Sequence, residues 1–173
     1  MQRNRKYVYG IHPYSNCVSI IDTATNNVEY TVYVENWPDE IAVSPDGTKL
    51  YVVNGASDNV SVIDTATYTV SNTVHVGFMP SGIAVSPDGT KLYVACSGSV
   101  SVIETDANKL IHTVIEGESP TGVAVSPDGT QVYVTDQREN NVLVIDTLTN
   151  TIRKRVPVGT EPLEIAIGKI RTD

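Results

Sequence analysis

The chain has 173 residues, of which 40% are hydrophobic, 18% charged and 6% aromatic, and its formal net charge is −8. This composition is typical of one globular domain. No stretch reaches the ~18 consecutive apolar residues of a membrane-spanning helix, and residues 1–6 are too short and polar to begin a signal peptide. An acidic chain repels phosphate backbones and anionic lipids. We therefore expect no membrane insertion, no signal peptide in this chain and no nucleic-acid partner.

The sequence repeats itself with a period of about 40 residues. The motif Ser-Pro-Asp-Gly-Thr begins at Ser44, Ser86 and Ser126, so its spacings are 42 and 40 residues. Between the copies lie short segments rich in Val, Ile, Thr and Tyr, separated by Gly, Asn, Asp and Pro, which is typical of strands and turns. We predict four strands per repeat: A (Ile-Ala-Val), B (Leu-Tyr-Val), C (Val-Ser-Val-Ile) and D (Thr-Val).

In chain order, the first repeat is incomplete. It starts with strand B at Tyr7-Val8, a pair that we align with the Tyr-Val pair at Tyr51, and it has no Ser-Pro-Asp-Gly turn before it. Its strands C and D follow, then three complete repeats, and a last strand A lies at 163–167. Four-stranded antiparallel units of ~40–45 residues are typical of a β-propeller, in which each unit is one blade and neighbouring blades bury each other's faces.

We therefore predict an all-β fold, a β-propeller of four four-stranded antiparallel blades in a single domain, 1–173. The last strand A would close the ring by pairing 164–167 with 6–10. The predicted blades are 6–34 plus 163–168, 39–76, 81–116 and 121–158. The alternative is a half-propeller that dimerises into an eight-bladed ring, so that a monomer and a homodimer both stay open. Cys17 and Cys96 would lie in opposite blades of a closed ring, and we expect both thiols to be free.

The repeats also resemble a known family. Tyr51-Val52-Val53-Asn54 and Tyr133-Val134-Thr135-Asp136, together with the Ser-Pro-Asp-Gly-Thr turns, look like the YVTN family of β-propeller repeats of archaeal surface-layer and bacterial surface proteins. The resemblance covers almost the whole chain. It implies a propeller and a cell-surface or extracellular location, and it says little about function, because similar repeats serve scaffolds and enzymes.

A candidate site lies at the loops whose sequences differ from one repeat to the next. These are the loops from strand D to strand A and from strand B to strand C, which share one face of a propeller. Trp37 and Met79 each precede a loop proline, and Phe78 precedes Met79. Trp37 is the only Trp of the chain and Phe78 is its only Phe. They could form an apolar platform for a ligand or partner, or cap the contact between two blades.

Carboxylates gather on the same loops. Glu40 and Glu164 occupy the strand-A position that is glycine in the other two repeats. They could hold Ca²⁺ or Mg²⁺ at the channel mouth, whereas the competing interpretation is solvated side chains, and no calcium-loop motif is present. Further candidate binding residues are His12 and Tyr14 in the longest B-to-C loop, and Asp39, Glu118 and Glu161.

These observations favour a non-enzymatic binding or structural module that contacts a protein, glycan or small molecule through the loop face. The alternative is a metal-dependent lactonase-like or lyase-like enzyme that uses a channel-mouth cation and His12. A surface-protein repeat with no ligand of its own is a third interpretation. We expect no catalytic residue and no cofactor beyond that cation.

Overall fold

The computed structural model of this protein describes residues 6–168, which form four antiparallel β-sheets in sequence order. The first sheet contains β1 (Tyr7–His12), β2 (Cys17–Asp22) and β3 (Asn27–Tyr33). The second contains β4 (Pro38–Val43), β5 (Lys49–Asn54), β6 (Asn59–Asp64) and β7 (Thr69–His75). The third contains β8 (Gly82–Val85), β9 (Lys91–Cys96), β10 (Ser99–Glu104) and β11 (Lys109–Val114). The fourth contains β12 (Pro120–Val125), β13 (Gln131–Asp136), β14 (Asn141–Asp146) and β15 (Thr151–Pro157).

The predicted fold class is confirmed: the chain is all-β and its sheets are the four blades of a β-propeller. A short 3₁₀ turn at Pro13–Ser15 joins β1 to β2. Within residues 6–168, no helix is long and apolar enough to cross a membrane. The A strands β4, β8 and β12 contact one another in succession, so they form the inner side of the array.

The hydrophobic core lies between the blades, in three clusters that each join one sheet to the next. The Tyr of strand B is the largest side chain of two of these clusters. Tyr51 packs towards the third blade and Tyr93 towards the fourth, and each is only 1% exposed. Each sheet thus buries an apolar face only because the next sheet covers it. Cys17 and Cys96 are buried with free thiols, as expected.

The strand register corrects one detail of the sequence alignment. Tyr7 pairs with Asp22, as Lys49 pairs with Asp64, whereas Tyr9 pairs with Ile20 at the position where Tyr51 pairs with its own neighbour in strand C. Tyr9, not Tyr7, therefore occupies the place of Tyr51. The alignment slipped by two residues because the first repeat has no Ser-Pro-Asp-Gly turn from which to count.

The predicted closing strand is the second correction. Residues 162–168 form no strand, and within the described residues β1 pairs only with β2, so the first blade has three strands. Instead, the carbonyl oxygen of Leu163 accepts hydrogen bonds from the hydroxyls of Thr121 (3.1 Å) and Thr135 (2.8 Å) of the fourth blade. The contact follows from the repeat, because Leu163 comes directly after a loop proline, as Thr121 does, and lies beside the fourth blade as the next strand A would.

The Ser-Pro-Asp-Gly-Thr turns are stabilised by the carboxylate that each contains. In the first turn, the hydroxyl of Ser44 (2.6 Å) and the backbone N–H of Thr48 (3.0 Å) both donate to Oδ1 of Asp46. The hydrogen bond from Ser44 is the largest cause that lowers the pKa of Asp46 to about 2, and the hydrogen bonds from Thr48 add to it. In the other two turns, the equivalent hydrogen bonds from the turn's own Ser and Thr lower the pKa values of Asp88 and Asp128.

We expect these turns to make the fold sensitive to acid. A carboxyl group whose pKa is lower in the folded state stabilises the fold above its unfolded pKa, and this contribution disappears as the pH falls through the folded value. Urea midpoints measured from pH 5 to pH 2 should therefore fall less steeply when Asp46, Asp88 and Asp128 are all changed to Asn. The exposed Asp106→Asn serves as the control. An unchanged slope in the triple variant would show that the turns do not carry the effect.

One glycine tests the close approach of the A strands. A Cβ atom at Gly82 would overlap the carbonyl oxygen of Thr121, which is backbone of the next blade and cannot turn away. Gly82→Ala should lower the free energy of unfolding by about 3 kcal/mol, because the strands must separate to admit the methyl group. Gly159→Ala is the matched control, since its Cβ would meet nothing within 4 Å. Equal urea midpoints for the two variants would contradict the tight contact.

Candidate binding face

The loops from strand D to strand A hold the residue before the proline in an unusual conformation. Three of these four residues have a positive φ: Trp37 (57°), Met79 (46°) and Glu161 (51°). A left-handed conformation costs a non-glycine residue about 1–2 kcal/mol, so something must hold it. In each case the backbone N–H donates to a side-chain oxygen in the B-to-C loop of the same repeat. The pairs are Trp37 with Asn16 (3.0 Å), Met79 with Asp58 (2.8 Å) and Glu161 with Asn140 (2.8 Å).

The third repeat shows what happens without this support. Its B-to-C turn has Gly98 at the corresponding position, which has no side chain to accept a hydrogen bond. There, Asp136 of the next blade accepts from the backbone N–H groups of Glu118 (2.8 Å) and Ser119 (3.2 Å) instead. Ser119 is not among the residues of positive φ. The positive φ therefore occurs only in those repeats whose B-to-C loop supplies an Asn or Asp side chain to accept the hydrogen bond.

The structure brings Trp37, Phe78 and Met79 together, as the platform hypothesis requires. They line a groove of about 570 Å³ between the second and third blades, which we call the aromatic groove. All three are well exposed, at 46%, 63% and 57% respectively. The remaining lining residues are Asp39, Gly55, Ala56, Asp58, Pro80 and Ser81.

Tyr14 extends this surface beyond the groove. Its ring contacts the Trp37 ring edge to face, with the centroids 5.2 Å apart and the planes at 73°. The Tyr14 side chain is itself 90% exposed. Such T-shaped pairs are favourable because the edge of one ring meets the electron-rich face of the other. Trp37 is thus held from one side by Tyr14 and remains open to the groove.

Three carboxylates lie at the inner side of the same face: Asp39, Glu40 and Glu164, which we call the acidic trio. Glu40 is half-buried, and its Oε2 accepts a hydrogen bond of 2.6 Å from the backbone N–H of Ile83 in the next blade. Burial, with a smaller contribution from the charges of Glu164 and Asp39, raises the pKa of Glu40 to about 7, although the hydrogen bond from Ile83 opposes this shift. Burial and the charge of Glu164 also raise the pKa of Asp39.

The geometry gives the predicted cation no support. Within residues 6–168, no group of three or more His, Cys, Asp or Glu side chains is arranged to hold a metal ion. Because burial and the charges of Glu164 and Asp39 raise the pKa of Glu40 to about 7, Glu40 takes up a proton near neutral pH. The Ca²⁺ or Mg²⁺ ion at the channel mouth stays a prediction.

The remaining predicted residues lie apart from the groove. Nε2 of His12 lies 2.8 Å from the hydroxyl of Ser19, and Asn54 makes the matching contact with Ser61 (2.9 Å) one blade further on. This pair is therefore a feature of the repeat and gives no sign of a catalytic base. Glu118 is exposed, and Glu161 lines a separate pocket with Gln137, Arg138, Asn140 and Thr160.

The sequence does not by itself point to the residues that hold the three loop residues of positive φ. Asn16, Asp58 and Asn140 stand directly before a strand C, with φ between 51° and 53°. Asn and Asp tolerate this conformation better than other side chains. Their recurrence before strand C, with glycine in the remaining repeat, is the signal that would have identified them. Asp58 has a second role, because it also lines the aromatic groove.

Comparison with known proteins supports the fold. No protein-family model matches the chain, and no curated protein matches it. Among solved structures, Kuenenia stuttgartiensis Hydrazine Synthase is similar, with a TM-score of 0.82 and 32% sequence identity over 87% of this chain. The matched region covers 45% of that chain, so this chain spans less than half the length of its structural neighbour. The resemblance to the YVTN repeats stays a prediction.

The acidic trio makes the stability depend on pH in the opposite sense to the turns. Because the pKa of Glu40 is higher in the folded state than its ordinary 4.5, the folded state binds the proton more tightly. Stability should then fall as the pH rises from about 4.5 to 7. Glu40→Gln keeps an oxygen that can accept from Ile83 and removes the charge, so it should raise the free energy of unfolding at pH 8 by about 1 kcal/mol after solvent screening, with little change at pH 4.

Glu118→Gln is the matched control, since it removes a carboxylate from the same face at an exposed position. Urea unfolding at the two pH values measures the effect. A Glu40→Gln variant no more stable than the natural chain at pH 8 would contradict the assigned pKa.

Proposed function

We propose that this chain is a non-enzymatic binding module whose aromatic groove receives a partner protein, specifically a segment that carries apolar and cationic side chains. The observation that carries the proposal is the groove itself: Trp37, Phe78 and Met79 converge at one junction between blades and remain exposed. Three large apolar side chains open to water in one groove are typical of an interaction site.

The backbone geometry supports this proposal. A left-handed conformation before a proline is unfavourable, so it persists only where the surrounding structure holds it. In Trp37 and Met79 this conformation goes together with outward-facing apolar side chains, held by Asn16 and Asp58. Glu161 has the same conformation in another repeat, so the backbone geometry belongs to the loop, and the side chains of Trp37 and Met79 make the aromatic groove apolar.

Charge indicates the chemistry of the partner. Asp39 and Asp58 line the groove, the rest of the acidic trio lies beside it, and the chain as a whole has a net charge of −8. A cationic side chain would be attracted to these carboxylates and could also stack on the Trp37 ring, which is the best cation–π acceptor among the side chains. A segment with Lys or Arg next to Leu or Phe would satisfy both properties of the groove.

The enzyme hypothesis has one supporting observation, the raised pKa of Glu40, which is suitable for a general base near neutral pH. A metal-dependent lactonase-like or lyase-like activity would also need a cation and a placed histidine. The described residues offer no metal-holding cluster, and His12 contacts Ser19 as part of the repeat. We therefore favour the binding function over the enzymatic one.

A labelled short peptide of alternating Leu and Lys tests the proposal, with Leu-Glu and Ser-Lys peptides as comparisons. Because Trp37 is the only tryptophan, its fluorescence reports directly on the groove. We expect the Leu-Lys peptide alone to shift Trp37 emission. Phe78→Ser and Met79→Ser should each weaken its binding about tenfold or more, the equivalent of ~1.4 kcal/mol for one lost apolar contact.

Leu148→Ser is the matched control, because Leu148 is 90% exposed in a turn between strands C and D, on the opposite face. It should bind the peptide as the natural chain does. Failure of the Leu-Lys peptide to bind, or equal affinity for all three peptides, would overturn the proposed partner chemistry. Undiminished binding by Phe78→Ser would overturn the assigned site.

A further inference from the structure

The loop between β5 and β6 joins the two sides of the aromatic groove. At one end of this loop, the backbone N–H of Gly55 donates to the carbonyl oxygen of Trp37 (2.8 Å). At the other end, Oδ1 of Asp58 accepts from the backbone N–H of Met79 (2.8 Å). A Cβ atom at Gly55 would lie 3.6 Å from the carbonyl oxygen of Trp37 and 3.3 Å from that of Pro80, so the loop fits closely between the two sides.

Asp58 has a charge that its structural role does not require. Asn16 and Asn140 have the same position in their own repeats, with φ values of 51° and 53° against 53° for Asp58. The amide oxygens of these two residues accept from the backbone N–H groups of Trp37 (3.0 Å) and Glu161 (2.8 Å). A neutral side-chain oxygen is therefore sufficient to hold the loop, and the negative charge of Asp58 is an additional property of the second repeat.

The second oxygen of Asp58 is available to a ligand. Asp58 is half-buried and lines the aromatic groove. Only its Oδ1 is used by Met79, and Oδ2 makes no hydrogen bond or ion pair within residues 6–168. In Asn16, by contrast, the remaining amide group is used, because Nδ2 donates to Oδ1 of Asn36 (3.2 Å).

The aromatic groove has no positive charge of its own. Its two carboxylates are Asp39 and Asp58, and neither belongs to an ion pair in the part of the chain that the structure describes. A cation that pairs with them must therefore come from the bound segment. The pair would be stronger than one on an open surface, because the groove leaves less water between the charges.

Asp58 is the better placed of these two carboxylates. Its hydrogen bond with Met79 fixes the side chain before a ligand arrives, so less side-chain freedom is lost on binding. Asp39 is exposed, and its side chain makes no hydrogen bond among the described residues.

We propose that Asp58 determines which segment the aromatic groove accepts. Its Oδ1 holds the Met79 side of the groove, and its Oδ2 receives the Lys or Arg side chain of the partner segment. Phe78 and Met79 contact the apolar side chains that flank this cation. The inference rests on the proposed function, because it concerns the same groove, and it assigns the recognition of the cation to one residue.

A double-mutant cycle tests the inference. The natural chain and its Asp58→Asn variant are titrated with labelled peptides of alternating Leu-Lys and of alternating Leu-Gln, and the fluorescence anisotropy of the peptide measures binding. We expect the natural chain to prefer the Leu-Lys peptide to the Leu-Gln peptide. Asp58→Asn should reduce this preference about fivefold and leave the affinity for the Leu-Gln peptide unchanged, because only the charge is removed.

The asparagine variant separates the charge of Asp58 from its support of the loop. Asn at this position should keep the hydrogen bond with Met79, since Asn16 and Asn140 make the same bond in their own repeats. An unchanged urea midpoint and an unchanged Trp37 emission of the free variant check that the loop is intact. Asp58→Ala removes both oxygens, so it should weaken the binding of both peptides.

Asp106→Asn is the matched control, because it changes the net charge by the same one unit. Asp106 is exposed in the turn between β10 and β11, on the opposite face. This variant should keep the full preference for the Leu-Lys peptide. Asp39→Asn removes the other carboxylate of the groove and should reduce the preference less than Asp58→Asn does.

The outcomes separate this inference from the proposed function. An unchanged preference for Leu-Lys in Asp58→Asn would overturn the inference alone, as would an equal loss in Asp106→Asn or a larger loss in Asp39→Asn. If Asp58→Asn weakens the binding of both peptides equally, Asp58 acts only through the loop, and the inference is also wrong. If neither peptide binds the natural chain, the proposed function fails and this inference fails with it.

Discussion

The whole architecture depends on the burial of one blade by the next. A four-stranded sheet of this sequence has an apolar face that no other part of its own repeat can cover, and only the following blade keeps Tyr51 and Tyr93 from water. Close approach of the A strands makes this possible, as the contact between Gly82 and the carbonyl oxygen of Thr121 shows. Where a neighbour is missing, burial is lost: Val8 and Tyr133 occupy core positions of the repeat and are partly exposed.

The loop face follows from a second constraint, which is local. The outward conformation of Trp37 and Met79 goes with a single oxygen in the preceding B-to-C loop, supplied by Asn16 and Asp58. In the third repeat, Gly98 cannot supply it, and Asp136 accepts from that loop instead. The conformation of these loops is therefore coupled to the residue before strand C.

Much of this could be predicted from sequence, for physical reasons. Strands and turns of the repeat are local, so the Ser-Pro-Asp-Gly-Thr motif and the Val- and Ile-rich segments indicate them directly. The convergence of Trp37, Phe78 and Met79 was also predictable, because equivalent loops of adjacent blades must be neighbours. Two features could not be predicted. Ring closure depends on the curvature of the array, which no repeat encodes by itself. The alignment of Tyr9 was wrong by two residues because the first repeat has no Ser-Pro-Asp-Gly turn from which to count.

The central claim is that a strand in this fold is stable only when both its sheet partner and the adjacent blade are present. Hydrogen exchange of backbone amides measures this most directly. The account predicts that the amides of β9, which is paired on both sides and covered by both adjacent blades, exchange far more slowly than those of β15, an edge strand whose residues are mostly exposed. Equal protection of β9 and β15 would contradict it, because burial between adjacent blades would then not decide the stability of a strand.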